Sequence, residues 1–152
     1  MQNTLRLTST NILNRAQSPV LLFARLTLAY GFYEPAMNKW SDIQSVVAWF
    51  GSMDIPFPLF HAYIVASFEL VGVVCLILGL FTRLISIPLM FIMLVAIFTV
   101  HISHGFSTGN NGFEIPLYYI LFLAIFASFG AGKLSLDYLF FDNQALSTRK
   151  EK

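Results

Sequence analysis

Four long apolar stretches, at 19–38, 59–80, 84–104 and 114–132, set the terms on which this chain folds. A hydrocarbon core of ~30 Å takes about 20 helical residues at ~1.5 Å each. The stretches are continuous, whereas a membrane barrel alternates apolar and polar residues in segments of about 10. Only 11% of the 152 residues are charged, against about 25% in soluble domains. A soluble fold of this size leaves roughly a third of its surface to water, and too few polar side chains are present to cover it. The expected fold class is all-α: an integral membrane four-helix bundle whose solvent is the lipid bilayer. Its organisation reads as a cytoplasmic N-terminal segment at 1–18, a four-span transmembrane domain at 19–141 and a cytoplasmic tail at 142–152, with the two ends disordered.

Arg6 and Arg15 precede the first apolar stretch, as in a signal peptide. That stretch exceeds the ~7–15 residues of a signal core, so it reads as an uncleaved span. Orientation follows from counting Lys and Arg on the two sides of alternating spans. Arg6, Arg15, Arg83, Lys133, Arg149, Lys150 and Lys152 fall on one side and Lys39 alone on the other, with Arg25 inside a span. Seven against one puts both termini in the cytoplasm of a multi-pass protein of the cell membrane, read as a bacterial inner membrane. A net charge of +1 provides no basic field for nucleic acid. Cys75 is the only cysteine, which excludes an internal disulfide and a CxxC redox pair.

Between the first two spans, Ser41 and Gln44 resemble a capping box, and Ile43, Val46, Val47 and Phe50 recur at helical spacing before Gly51. These residues predict a short interfacial helix in the first outer loop, with Trp40 and Trp49 anchored near the headgroups. The second outer loop, 105–113, is rich in Gly, Asn, Ser and Thr. That composition predicts a mobile loop or a binding lid.

An ionisable group at a span centre costs roughly 2.5–3.5 kcal/mol on insertion scales, so those retained are the first candidates for function. Arg25 lies about 9 Å and Glu69 about 16 Å from the same boundary, a gap that an extended arginine can close. Ala66, Glu69, Gly72 and Gly79 share one face, which turns Glu69 towards the bundle. Arg25 and Glu69 are read either as a structural ion pair or as a proton- or ligand-handling pair. Glu34 projects opposite Arg25, and Pro35 removes a backbone donor beside it.

Near the outer boundary Glu34, Asn38, Lys39, His61, His101, His104 and Glu114 gather at similar depth, with Tyr118 one turn beyond Glu114. His101 and His104, at i and i+3, share a face and offer two imidazoles to a metal or a proton path. Interfacial histidines bonded to water or backbone, and a redox or proton-transfer pocket, are the other two readings. A quinone ring would need a lipid-accessible slot with donors at its carbonyl oxygens and aromatic walls. Phe and Tyr are plentiful enough to wall one, but they are equally ordinary bundle filling.

Four segments, LLFARLTLAYGFYEPAMNKW, IPFPLFHAYIVASFELVGVVCLILGLFTRL, VHISHGFSTGNNGFEIPLYY and GAGKLSLDYLF, come in order across residues 21–141. In these the chain resembles the DoxX family of small four-span membrane proteins. The resemblance implies a quinone-associated redox role, since the family takes its name from subunits of thiosulfate:quinone oxidoreductases and relatives accompany thiol- or sulfur-oxidising partners. It maps the family's motif positions onto Arg25, Lys39, Glu69, Gly72, Gly79, Arg83, His101, Gly105, Phe106, Glu114 and Asp137. His104 stands where relatives often carry Asn.

The leading expectation is an accessory or quinone-reactive subunit of a membrane redox system. In it Arg25, Glu69, His101 and Glu114 are the catalytic candidates, and Glu34, Lys39, His61, His104 and Tyr118 bind the ligand. Quinone is the expected cofactor, a metal at His101 and His104 a second. With one cysteine, electrons must come from a redox partner protein or from the ligand. The alternative is a non-catalytic assembly or transport component for a partner protein, small solute or metal, which four short spans would perform as a homo-oligomer or within a larger complex.

Overall fold

The computed structural model describes the backbone of residues 2–142 and the side chains of 16–141. The described residues are helical and contain no strand. Helix α1 runs Gln2–Ser41, α2 Ile43–Ser52, α3 Pro58–Leu78, α4 Thr82–Ala96 and α5 Glu114–Phe129. Helix α4 continues through a π turn, Ile97–His101, and a 3-10 turn, Ile102–His104. Helix α3 and the run Thr82–His104 are each long and apolar enough to cross a membrane; α5 is a shorter apolar helix.

Helix α1 has 40 residues and passes through Pro19 and Pro35. The polar segment read as disordered is therefore helical from Gln2; before Pro19 it contains neither glycine nor proline to stop a helix. The tail beyond 142 lies outside the described residues.

Small residues set the packing, as they must where lipid tails are as apolar as the core and close approach is the main source of association. Ala29 and Ala36 of α1 and Ala62 and Ala66 of α3 are buried. A Cβ on Gly72 would strike the methyl groups of Leu89, and one on Gly31 would overlap the Tyr119 hydroxyl. Around these contacts Leu28, Phe32, Val73, Leu76, Leu89, Leu123 and Phe126 form the core.

At one end a clasp built from distant segments closes the bundle. Helix α3 stops at Gly79, whose φ of +65° suits glycine. Arg25 of α1, with 0% of its surface exposed, donates from Nη1 to the Leu76 carbonyl (3.2 Å) and from Nη2 to the Leu134 carbonyl (2.6 Å). Asp137 accepts from the backbone N–H groups of Phe81 (2.7 Å) and Thr82 (2.9 Å). A carboxylate more than fifty residues away thus caps the start of α4, where no local side chain does. The Asp137 N–H returns a bond to the Gly79 carbonyl (2.9 Å).

The helix expected between the first two spans is α2, but its cap lies one residue later than the sequence suggests. Asp42, not Ser41, accepts from the Ser45 N–H (3.1 Å) and hydroxyl, while Ser41 Oγ donates back to the Asn38 carbonyl (2.8 Å). An ionised carboxylate accepts more strongly than a hydroxyl, which favours the later cap. The Ser45 hydroxyl and then its N–H hold the Asp42 carboxyl below its ordinary range. A depressed folded-state value gives stability that is present above the unfolded value of about 3.9 and lost as pH falls through the folded one. Asp42→Ala should therefore speed hydrogen exchange in the first turn of α2 at neutral pH, whereas the unsubstituted chain should reach that exchange only below about pH 4. Equal protection of the two at neutral pH would refute the cap.

Candidate functional site

At the end away from Gly79 the helices part around a cavity of about 630 Å³, within the usual range for ligand pockets. All five helices contribute walls, and most are apolar: Phe32 from α1, Trp49 and Phe50 from α2, Phe68 from α3, Phe91, Ile92 and Met93 from α4, and Ile115 and Tyr119 from α5. The polar groups reaching it are few, and they include Lys39, Glu69, His61, Thr99, His101 and Asn111.

Lys39 and Glu69 form the one ion pair among the described residues. Lys39 Nζ donates to both Glu69 oxygens, at 3.0 and 2.8 Å, and the two side chains are 19% and 2% exposed. Breaking such a buried pair from one side costs several kcal/mol because the remaining charge is stranded. An ammonium carries three protons. With two directed at Glu69, one remains for an acceptor oxygen of a ligand. Beside the pair, Trp40 Nε1 donates to the Ala66 carbonyl (3.2 Å), fixing the end of α1 against α3.

Arg25 does not meet Glu69. The sequence distance permits an extended arginine, but Arg25 is engaged at the Gly79 end by the two carbonyls, and the cation from the last turn of α1 takes the carboxylate instead. By sequence Lys39 sits at the outer boundary; α1 runs two residues past it, and its long stem carries the charge inward.

His101 ends the π turn, closed by a bond from the Ile102 N–H to the Ile97 carbonyl. A 3-10 turn, Ile102–His104, follows it, and in such a turn positions i and i+3 stay on one side, yet the two imidazoles have different surroundings. His101 lines the cavity, whereas His104 is exposed and bonds through Nδ1 to the Val100 carbonyl (2.9 Å). His101 Nδ1 lies 2.7 Å from the Asn111 carbonyl. A carbonyl only accepts, so Nδ1 donates and Nε2 of the neutral ring is left as an acceptor. His61 is held the same way by Phe57 (3.2 Å). Among the described residues no group of three or more His, Cys, Asp or Glu gathers.

The remaining candidates stay outside the cavity walls. Glu34 is exposed. Glu114 accepts from the Thr108 N–H (3.0 Å) and the Tyr118 hydroxyl (3.1 Å). These bonds pin the 105–113 loop, as do those from Phe113 N to the Gly105 carbonyl and from Glu114 N to the Phe106 carbonyl, both 3.0 Å. Gly112 presses its backbone against Gly105 and Phe106, leaving no room for a Cβ. A segment expected to be mobile or a lid is thus cross-tied at both ends and buttresses His101. Sequence reasoning missed Trp49, Thr99, Asn111 and Tyr119 as lining residues. Tyr119 is the chain neighbour of Tyr118, and no signal in the sequence marked it.

The DoxX family model matches residues 20–102. Two uncharacterized proteins of Haemophilus influenzae are each 33% identical, one over 78% of this chain and 82% of its own length, the other over 86% and 98%. A Bacillus subtilis protein named "Putative oxidoreductase CatD" is 31% identical over 76% of this chain and 83% of its own. No solved structure matches significantly. The family model spans more than half of the chain, and the chain belongs to the DoxX family of small membrane proteins.

Proposed function

We propose that this chain spans the membrane four times with both termini cytoplasmic and binds a quinone-type ring in its cavity, as an accessory or quinone-reactive subunit of a membrane redox system. The observation that carries the reading is the juxtaposition of the buried Lys39–Glu69 pair with aromatic walls in a cavity of about 630 Å³. A quinone carbonyl accepts from the third Lys39 proton; a hydroquinone hydroxyl donates to Nε2 of His101. Reduction of the ring takes two electrons and two protons. A partner protein supplies the electrons, because Cys75 stands alone, and Glu69 and His101 are the groups beside the ring able to pass protons. The name of the Bacillus subtilis relative supports an oxidoreductase setting, and the seven-to-one distribution of Lys and Arg supports the orientation.

Trp49 lines the cavity and offers a direct readout. In a Trp40→Phe background, which leaves Trp49 as the sole indole, a soluble short-chain quinone should quench its fluorescence saturably in mild detergent. His101→Ala should weaken that binding about tenfold, the worth of one hydrogen bond to a polar ligand. Linear, non-saturating quenching that His101→Ala leaves unchanged would contradict the proposal.

A further inference from the structure

The cavity is sealed towards the Gly79 end, where Gly72 of α3 lies against Leu89 of α4 with no space for a side chain between them. Farther along, the same two helices are held apart by the cavity. Phe68 of α3 and Phe91, Val95 and Thr99 of α4 all line it, and all four are also exposed on the outer surface, Phe91 at 66%. Side chains that face both the cavity and the exterior mark an opening. This one lies between the two segments long and apolar enough to cross a membrane, and none of the four bears a charge.

We propose that the α3–α4 seam is a lateral portal joining the cavity to the hydrocarbon, and that the ligand is a single-chain amphiphile whose polar ring rests on Lys39 and Glu69 while its apolar tail leaves between Phe68 and Phe91. The proposal rests on the ring-binding reading and adds the route and the tail. Phe68 is the chain neighbour of Glu69, so the opening lies at the depth of the ion pair and a ring reaches the pair without crossing the core. A cavity of about 630 Å³ is the size of a drug-like ligand; a long tail exceeds it and has to emerge. The charged pair costs too much to leave facing lipid, and the phenylalanines at the seam shield it when no ligand is present.

The test uses the full chain in phosphatidylcholine nanodiscs, again with Trp49 as the sole indole. Two quinones with the same ring, one bearing a decyl tail and one a methyl group, are compared at equal concentration within the bilayer. The decyl compound is expected to bind at least tenfold tighter. Val95→Phe and Thr99→Phe, which narrow the seam, should slow its association tenfold or more, and Phe91→Ala should speed it. Leu121→Phe, on an exposed face of α5 that does not line the cavity, should leave the rate unchanged. If both quinones bind equally and the seam variants have no effect, or if Leu121→Phe is the slow variant, the portal is wrong while the ring site stands. If neither quinone quenches Trp49, the ring site fails and the portal with it. Should a narrowing variant fail to fold, the Phe91→Ala rate still decides.

Discussion

Lys39→Met should lower the stability of this protein by roughly 3 kcal/mol, read as a fall in the thermal midpoint in mild detergent. The cause is the carboxylate left without its cation. Glu69 is 2% exposed and takes both of its hydrogen bonds from Lys39, and removing one partner of a buried pair typically costs about 3–5 kcal/mol. The lower value applies because Lys39 retains 19% exposure. The companion experiment separates charge from packing. Lys39→Met combined with Glu69→Leu removes both charges and should recover most of the loss, since well-packed apolar pairs replace buried ion pairs at little or no cost. The double variant should nonetheless fail to bind the ring. A single variant as stable as the parent would mean that the pair contributes nothing to the fold. A double variant that still binds would show that the ligand does not depend on the pair.

Gly79→Ala should be comparably severe, for a reason that combines backbone and space. Gly79 holds φ +65°, and a Cβ there would overlap the Arg25 guanidinium and approach Ser135 Cβ at 2.6 Å. A left-handed alanine costs about 1–2 kcal/mol, and overpacking a filled site adds typically 1–3 kcal/mol. Arg25 cannot withdraw cheaply, because its guanidinium ties α3 to the segment after α5 through the Leu76 and Leu134 carbonyls. The expected result is a fall of roughly 2–5 kcal/mol by that sum, or no folded protein. Pairing the substitution with Arg25→Met, which frees space but strands the carbonyls, should give only partial recovery. Wild-type stability in Gly79→Ala would mean that the clasp is not under steric constraint.

The two ends of the bundle differ in how much the sequence disclosed. Lengths and apolarity of the stretches marked α3, the Thr82–His104 run and α5, and the apolar periodicity after Trp40 marked α2, because helix spacing and hydrophobic runs are local properties. Ala66, Glu69, Gly72 and Gly79 at helical steps marked the inward face of α3. What stayed hidden depends on pairings between distant segments. Whether Arg25 or Lys39 reaches Glu69 is decided by how far α1 continues and by which carbonyls capture Arg25 first. That Asp137 caps α4 could not be read from either segment alone. The π turn at Ile97–His101 carries no residue that announces it, and His101 at its end lines the cavity while His104 does not. A composition of Gly, Asn and Ser suggested mobility for 105–113, whereas the backbone bonds that tie the loop are open to any sequence that can adopt its turns.

Site residues and fold share one physical cause. Gly72 brings α3 and α4 together towards the Gly79 end, and the bulky Phe68, Phe91 and Tyr119 surround the cavity at the other. The buried ion pair lies where the close packing ends, so the same carboxylate that needs Lys39 for stability is presented to whatever fills the space.

The central claim, that the space beside Lys39 and Glu69 holds a quinone-type ring, is tested most directly by photo-labelling in native-like bilayers with an azido-quinone and mapping the modified peptides. Labelling should concentrate on cavity residues of α4 and α1, between Phe91 and Thr99 and near Lys39, and excess unlabelled quinone should abolish it. Labelling spread evenly over the lipid-facing surfaces of all the helices, and indifferent to excess quinone, would contradict the account.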